Sequence, residues 1–297
     1  MAKISDTIGN SVSESNGPTD PIGIDPRVPK LADRWQDMRD AGETMKLTLE
    51  GRSALVTGAN GVLGSHFART LASAGAHVAV AARRLDTLRD VQSAIEAGGG
   101  RAEAVELDVT DPASVARAFE QAAAALGPVT VVVNNAGIAV TKPLLEHTEE
   151  DWLQVVNVNL NGAWRVAQSA ARHMVAHRQG GSIVNVASIL GLRVAQQVPS
   201  YAATKAALIH LSKAMALELA RHNIRVNALA PGYIETSIND EFFGSEAGQA
   251  LLKRVPQRRL GKPQELDGAL LLLASDAGSF TTGAVFAVDG GHLVNTL

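Results

Sequence analysis

The sequence predicts an α/β fold: a mainly parallel, seven-stranded sheet with helices on both faces. Three observations predict it. Short apolar runs recur from Leu47 onward, helical patterns separate the first six of them, and polar, glycine-rich segments fall directly after several of the runs. Strand-helix alternation of this kind builds a parallel sheet, and strands buried on both faces read as near-continuous apolar runs.

The runs, in order, are SALVT (53–57), HVAVA (77–81), RAEAVEL (101–107), VTVVVN (129–134), SIVNVA (182–187), IRVNAL (224–229) and AVFAV (284–288). Between them lie helical patterns such as DTLRDVQSAIEAG and SVARAFEQAAAALG. Residues 1–46 differ. Their Ser, Asp, Asn, Gly and Pro content cannot bury a core, although Leu31, Trp35 and Met38 recur at helical spacing after Pro29. The expectation is a flexible extension with one short amphipathic helix, which docks on its own domain or clasps a neighbouring subunit. Residues 47–297 form the folded domain.

Composition narrows the function. The chain has 297 residues and a net charge of −3. With a pI near 6.2, nucleic acid is not an expected partner. There are no cysteines, which excludes disulfides and thiol catalysis. The histidines show no metal-ligand spacing, so no catalytic metal is expected. No apolar run is long enough to span a bilayer, and no signal or transit segment is evident, so the expected location is cytoplasmic.

Parallel sheets bind ligands beyond the carboxyl ends of their strands. TGANGVLG (57–64) follows the first strand and opens a helical stretch. Such a turn offers free N–H groups to a phosphate. Further motifs follow in order: Asp108-Val109, NNAG (134–137), Asn159 in VNVNL, Ser188, SYAATK (200–205), PGYIET (231–236) and VDGG (288–291). Together they resemble the short-chain dehydrogenase/reductase family over residues 47–297. The resemblance implies a doubly wound, Rossmann-type fold, a single-domain NADP(H)-dependent oxidoreductase that interconverts a ketone and a secondary alcohol, and a homotetramer built on helices around 151–177 and 200–221.

The family loop is T-G-x-x-x-G-x-G. Thr57, Gly58 and Gly64 fit it, but the middle glycine falls at Val62, with Gly61 before it. Gly61 is expected to relax the turn so that Val62 points away from the ligand. Asn60 and Leu63 complete the loop.

Tyr201 and Lys205 stand four apart on a helical stretch and share a face. A tyrosine titrates near ~10, and an ammonium at ~4 Å in an effective dielectric of ~20 favours the phenolate by several kcal/mol. Lys205 is therefore expected to lower the Tyr201 pKa. By resemblance, Ser188 holds the substrate oxygen, Tyr201 is the general acid or base, and Asn159 holds a water that links to Lys205. Also by resemblance, Asp108 and Val109 face the adenine. Asn134, Ala136 and Gly137 approach the ribose and nicotinamide, with Asn135 stabilising the sheet. Pro231 and Gly232 form a turn, and Ile234 and Thr236 bind the carboxamide and a phosphate.

NADP(H) is preferred over NAD(H) because Ala82 stands where NAD users place an acid, and Arg83 and Arg84 follow. The stretch near 237–262 is the substrate lid. Phe242 and Phe243 are expected to cover an apolar substrate. Lys253, Arg254, Arg258 and Arg259 either meet an anionic one, such as an acyl carrier, or form structural salt bridges. The rival reading is a non-catalytic NADP-binding sensor or scaffold, against which Asn159, Ser188, Tyr201 and Lys205 argue. A second rival, an epimerase or dehydratase, needs a larger substrate domain. Within the reductase reading, a 3-oxoacyl carrier reductase, a sugar dehydrogenase and a reductase of small ketones stay open.

Overall fold

The computed structural model describes residues 47–236 and 243–295. The helix expected around Leu31, Trp35 and Met38, and Phe242 of the lid, lie outside those residues. Seven strands form one sheet in the order β3-β2-β1-β4-β5-β6-β7. They are β1 (Ser53–Thr57), β2 (His77–Ala82), β3 (Arg101–Glu106), β4 (Val129–Asn134), β5 (Gly181–Val186), β6 (Ile224–Pro231) and β7 (Val285–Val288). Every pairing is parallel, so the sheet is parallel throughout rather than mainly so.

Alternation along each strand feeds two cores. Val131 and Val133 of β4 face one side, with Phe67 and Leu71 of α1 (Val62–Ser73), Leu88 of α2 (Asp86–Ala97) and Leu270 of the late helix Asp267–Ala274. Val132 faces the other side, with Phe119 of α3 (Pro112–Leu126) and Val166 and Met174 of the helix Ala163–Ala176. Helix α3 starts where it does because Pro112 suits the first turn and the Asp111 carboxylate accepts from the amides of Ala113 and Ser114.

Strand β1 lies between β2 and β4, so the chain winds outward in both directions from there. At that switch point the loops after β1 and β4 diverge and leave a crevice at the carboxyl ends of the strands. All the motifs singled out from the sequence that follow strands emerge on this side.

Candidate active site

The crevice is a cleft of about 1010 Å³, lined by the loops after all six strands from β1 to β6. Its glycine loop is shaped by two residues. Gly58 has φ +64°, and a Cβ on it would lie 3.0 Å from the Ala136 Cα. A Cβ on Gly64 would sit 2.1 Å from the Gly58 carbonyl oxygen. Gly61 is different: its φ is −86°, ordinary extended backbone, and an added Cβ would meet nothing closer than 3.4 Å. The expected relaxation at Gly61 is therefore not what shapes the turn. Val62 opens α1 and lines the cleft with Asn60 and Leu63.

Thr57 braces this loop against the next. Its hydroxyl accepts from the amides of Asn135 and Ala136, both at 3.0 Å. The Asn135 side-chain amide donates to the carbonyls of Thr57 (3.0 Å) and Gly58 (3.3 Å). Asn134, expected at the cofactor, lies outside the cleft wall. It is 4% exposed and its amide donates to Ala163 and Asn185, tying the sheet to a helix behind it. Successive side chains in extended chain point to opposite faces, and Asn135, not Asn134, has the cleft side.

At the far end of the cleft stand Arg83 and Arg84, both exposed, and Asp108 and Val109. Asp108 accepts from the amide and hydroxyl of Thr110 at 2.8 and 2.7 Å. Burial raises its pKa, but these bonds and the charges of Arg83 and Arg165 outweigh it and hold the carboxyl below its ordinary value.

The near end is built on the helix Pro199–Leu219, designated α6 here, the preceding helices being α4 (Glu149–Val156) and α5 (Ala163–Ala176). It carries Tyr201 and Lys205 on its cleft face. Lys205 is 4% exposed, and its ammonium donates to the Val186 carbonyl at 2.7 Å and lies 5.5 Å from the centre of the Tyr201 ring. Ser188, two residues past the end of β5, accepts from the Leu190 amide and lines the cleft with Tyr201. Between α4 and α5 the chain makes a π-helical turn, Asn157–Gly162. Of the three asparagines there, Asn159 alone is buried, at 1% exposure. Its side chain clasps Ile138, accepting from the amide and donating to the carbonyl at 2.8 Å each, and also donates to Thr204. Gly137 leaves the space between them: a Cβ there would lie 3.4 Å from Asn159 Oδ1 and 3.6 Å from Lys205 Nζ.

Burial pushes the Tyr201 phenol above its ordinary value; the Ser188 hydroxyl pulls it down, and the Tyr233 phenol pushes it up. Burial alone brings Lys205 down from 10.5 to about 8. The expected lowering of Tyr201 by Lys205 is thus overturned for this arrangement. The ammonium is held by a carbonyl and lies over the ring, and desolvation of the hydroxyl dominates.

Beyond β6, a Cβ on Gly232 would lie 2.6 Å from the Asp289 backbone, so this turn admits only glycine. Pro231, Gly232, Ile234 and Thr236 line the cleft, and so does Tyr233, which the motif reading passed over. An aromatic residue at the tip of a turn after a strand was the available signal. Phe243 is 6% exposed and packs edge-on against the Tyr233 ring at 5.7 Å. The lid cations divide. Arg259 forks onto Glu265 at 2.6 and 2.7 Å, Arg258 bonds the Lys253 carbonyl, and Arg254 forms no ion pair among the described residues.

The residues fit a dinucleotide. Helix α1 has no capping side chain and no acid in its first turn, which leaves its amides for a pyrophosphate. Residues 58–292 match the family model described as enoyl-(acyl carrier protein) reductase. The chain belongs to the short-chain dehydrogenase/reductase family. It is 38% identical to gluconate 5-dehydrogenase of Gluconobacter oxydans over 249 residues, 84% of this chain and 97% of that one. It is equally 38% identical to the 3-oxoacyl-(acyl-carrier-protein) reductase of Thermotoga maritima, covering 84% of this chain and 100% of the relative. Among solved structures, gluconate 5-dehydrogenase from Burkholderia cenocepacia, in complex with NADP and tartrate, superposes with a TM-score of 0.81 at 37% identity, covering 84% of this chain and 98% of that one.

Proposed function

We propose that the protein is an NADP(H)-dependent oxidoreductase that interconverts a ketone and a secondary alcohol. The observation that carries this reading is the grouping of Ser188, Tyr201 and Lys205 at one end of a cleft large enough for a dinucleotide. The amides at the start of α1 would hold the pyrophosphate, and Arg83 and Arg84 would meet a 2′-phosphate on the side where Ala82 offers no repelling carboxylate. NADP(H), when bound, supplies or accepts the hydride.

The chain's own residues handle the oxygen and its proton. Ser188 orients the substrate oxygen. Tyr201 donates a proton to it in reduction and accepts one in oxidation. A phenol whose pKa is raised by burial is protonated at neutral pH, which suits reduction. Lys205 would hold the cofactor ribose and keeps a positive charge beside the phenol, and Asn159 fixes the loop at Ile138. NADP-bound relatives named as gluconate dehydrogenases and a relative named as a 3-oxoacyl carrier reductase support a carbonyl substrate of either class. The reading extends to a cytoplasmic homotetramer whose catalytic domain spans residues 47–297, with 1–46 as an extension. Deleting residues 1–28 should leave activity unchanged. A fall in oligomeric mass on deleting through residue 44 but not 28 would mark that helix as a subunit clasp.

The deciding experiment is a panel of ketones and alcohols followed at the nicotinamide absorbance band with NADPH and NADH. Turnover with NADPH preferred is the expected result. No turnover of any carbonyl compound, with NADPH binding intact, returns the protein to the sensor reading.

A further inference from the structure

The end of the cleft at Tyr201 has a wall of hydrocarbon. Ile138 of the loop after β4, Val158 of the π-helical turn, Ile189 and Leu190 after β5, and Val198 at the start of α6 all line it. These positions are fixed by the frame that carries Tyr201 and Lys205. The Asn159 side chain clasps both backbone groups of Ile138 at 2.8 Å, and Val158 directly precedes Asn159. The turn Ile189–Gly191 lies against α6: a Cβ on Gly191 would be 2.7 Å from the Lys205 carbonyl carbon. The Ala202 amide, next to Tyr201, donates to the Val198 carbonyl at 3.0 Å. The two loops at the mouth are also tied, the Lys142 amide donating to the Gln197 carbonyl at 2.9 Å. Gln197 stands there at a φ of +67°, a conformation that a residue with a side chain holds only under constraint.

This wall has no charge with which to receive an anion. Among the described residues, the charged members of the lining are Arg83, Arg84 and Asp108, at the far end, and Lys205, which donates to the Val186 carbonyl. The cations that neighbour the wall in sequence are engaged elsewhere. Lys142 pairs with Asp151 at 2.6 Å, and the Arg193 guanidinium reaches the His292 carbonyl, outside the lining. Residues 237–242, which follow Thr236, include Asp240 and Glu241 and neither Lys nor Arg. The polar member of the wall is Gln154 of α4. It stands four residues before Val158, on the same helix face, and is exposed. Its amide has no hydrogen-bond partner among the described residues.

We propose that the substrate is an uncharged ketone, or the corresponding alcohol, with a hydrocarbon body, and that Gln154 selects it by hydrogen-bonding a neutral oxygen remote from the reacting carbonyl. This rests on the oxidoreductase reading and narrows it. Hydrocarbon gains by leaving water for such a wall, whereas a carboxylate or a polyol loses its hydration there and finds no partner. A side-chain amide both donates and accepts, so it serves an ester, an ether or a hydroxyl and does not offset a negative charge.

The test uses the full chain with NADPH and two matched sets. One is 4-methylcyclohexanone, methyl 4-oxocyclohexanecarboxylate and the free acid of that ester. The other is 2-heptanone, methyl 5-oxohexanoate and 5-oxohexanoate. The sugar acid 5-keto-D-gluconate is the polar extreme. In at least one set, the kcat/KM of both neutral members should exceed that of the acid by about tenfold or more, the effect of bringing a charge to a wall without a partner. The ester should lead the hydrocarbon by about two- to tenfold, the range of one neutral hydrogen bond. Gln154→Leu should abolish that lead and spare the hydrocarbon ketone. Gln154→Arg, which adds a cation to the wall, should raise the acid-to-ester ratio about tenfold. A purely structural Gln154 would lower all members alike and leave both ratios unmoved, which overturns its assignment. An acid or 5-keto-D-gluconate reduced as well as the neutral ketones overturns the uncharged substrate and leaves the reductase standing. If nothing is reduced, quenching of bound-NADPH fluorescence by the same compounds decides separately. Neutral ketones binding in preference to acids keep the apolar site and remove the catalytic reading, and no preference removes both.

Discussion

The two ends of the cleft are built in opposite ways. At the reacting end Lys205 and Asn159 are buried and Tyr201 is half-buried, and the hydrogen bonds of Lys205 and Asn159 run mainly to backbone groups of β5 and the loop after β4. At the far end Arg83 and Arg84 are exposed on a loop. A buried group has its protonation set by its surroundings, and its loss leaves partners unpaired. An exposed cation is already solvated, so its contribution to binding a phosphate is graded and weakened by salt. Changes at the near end should therefore be close to all-or-none in turnover, and changes at the far end should alter affinity alone.

The largest effect is expected at Tyr201. Tyr201→Phe keeps the ring and the packing and removes the proton. The kcat should fall by about 10²- to 10⁴-fold, while NADPH binding, read by fluorescence, is retained. Activity that survives in the variant would place the proton donor elsewhere. Next in size is Arg83→Ala, which should raise the KM for NADPH about ten- to a hundredfold and leave that for NADH nearly alone. Equal effects on both cofactors would show that Arg83 shapes the loop and does not read the 2′-phosphate. Raising the ionic strength should shrink the Arg83 effect and spare the Tyr201 effect, which sharpens the contrast between the two ends.

A smaller effect is expected from pH. Lys205, brought down to about 8 by burial, is charged below that value and neutral above it. Tyr201, pushed up, keeps its proton across the same range. The rate of carbonyl reduction should then be level below about pH 8 and decline above it as the ammonium is lost. A rate that climbs through pH 8 would mean that neither group is in the assigned state. The same shift bears on stability. The folded state binds fewer protons at Lys205 than the unfolded one between about 8 and 10.5, so this residue's contribution favours the fold increasingly as pH rises through that window.

Much of the fold was legible because its strands are short, apolar and bounded by turn residues. All seven runs became strands, and the one notable difference, β6 reaching Pro231, comes from a residue that needs no amide where the strand ends. The motifs likewise placed Gly58, Gly137, Ser188, Tyr201 and Gly232 around one cleft. Three things were not legible, each for a local reason. Which of Asn134 and Asn135 faces the cleft depends on strand register, which two identical neighbours conceal. The π-helical turn at Asn157–Gly162 has no signature in propensity, and only its geometry separates Asn159 from Asn157 and Asn161. The direction of the Tyr201 shift depends on how deeply the hydroxyl is buried, a tertiary property that the spacing of Tyr201 and Lys205 does not carry.

The smallest expected effect tests the glycine loop, where sequence and geometry part most clearly. Three glycines punctuate TGANGVLG, yet only the outer two are demanded by space or conformation. Gly64→Ala would drive a methyl group into the Gly58 carbonyl, and the loop must open to admit it. Gly61 precedes α1 in an ordinary extended conformation with room for a Cβ, so Gly61→Ala should change NADPH affinity less than threefold (about 0.6 kcal/mol) and the melting temperature by a degree or two. The substitution also limits the unfolded chain, which offsets any small loss in the folded one. A tenfold weakening at Gly61 would mean that the bound pyrophosphate approaches the backbone there more closely than the free loop requires. The family's middle glycine would then have been replaced in function by its neighbour and not simply dispensed with.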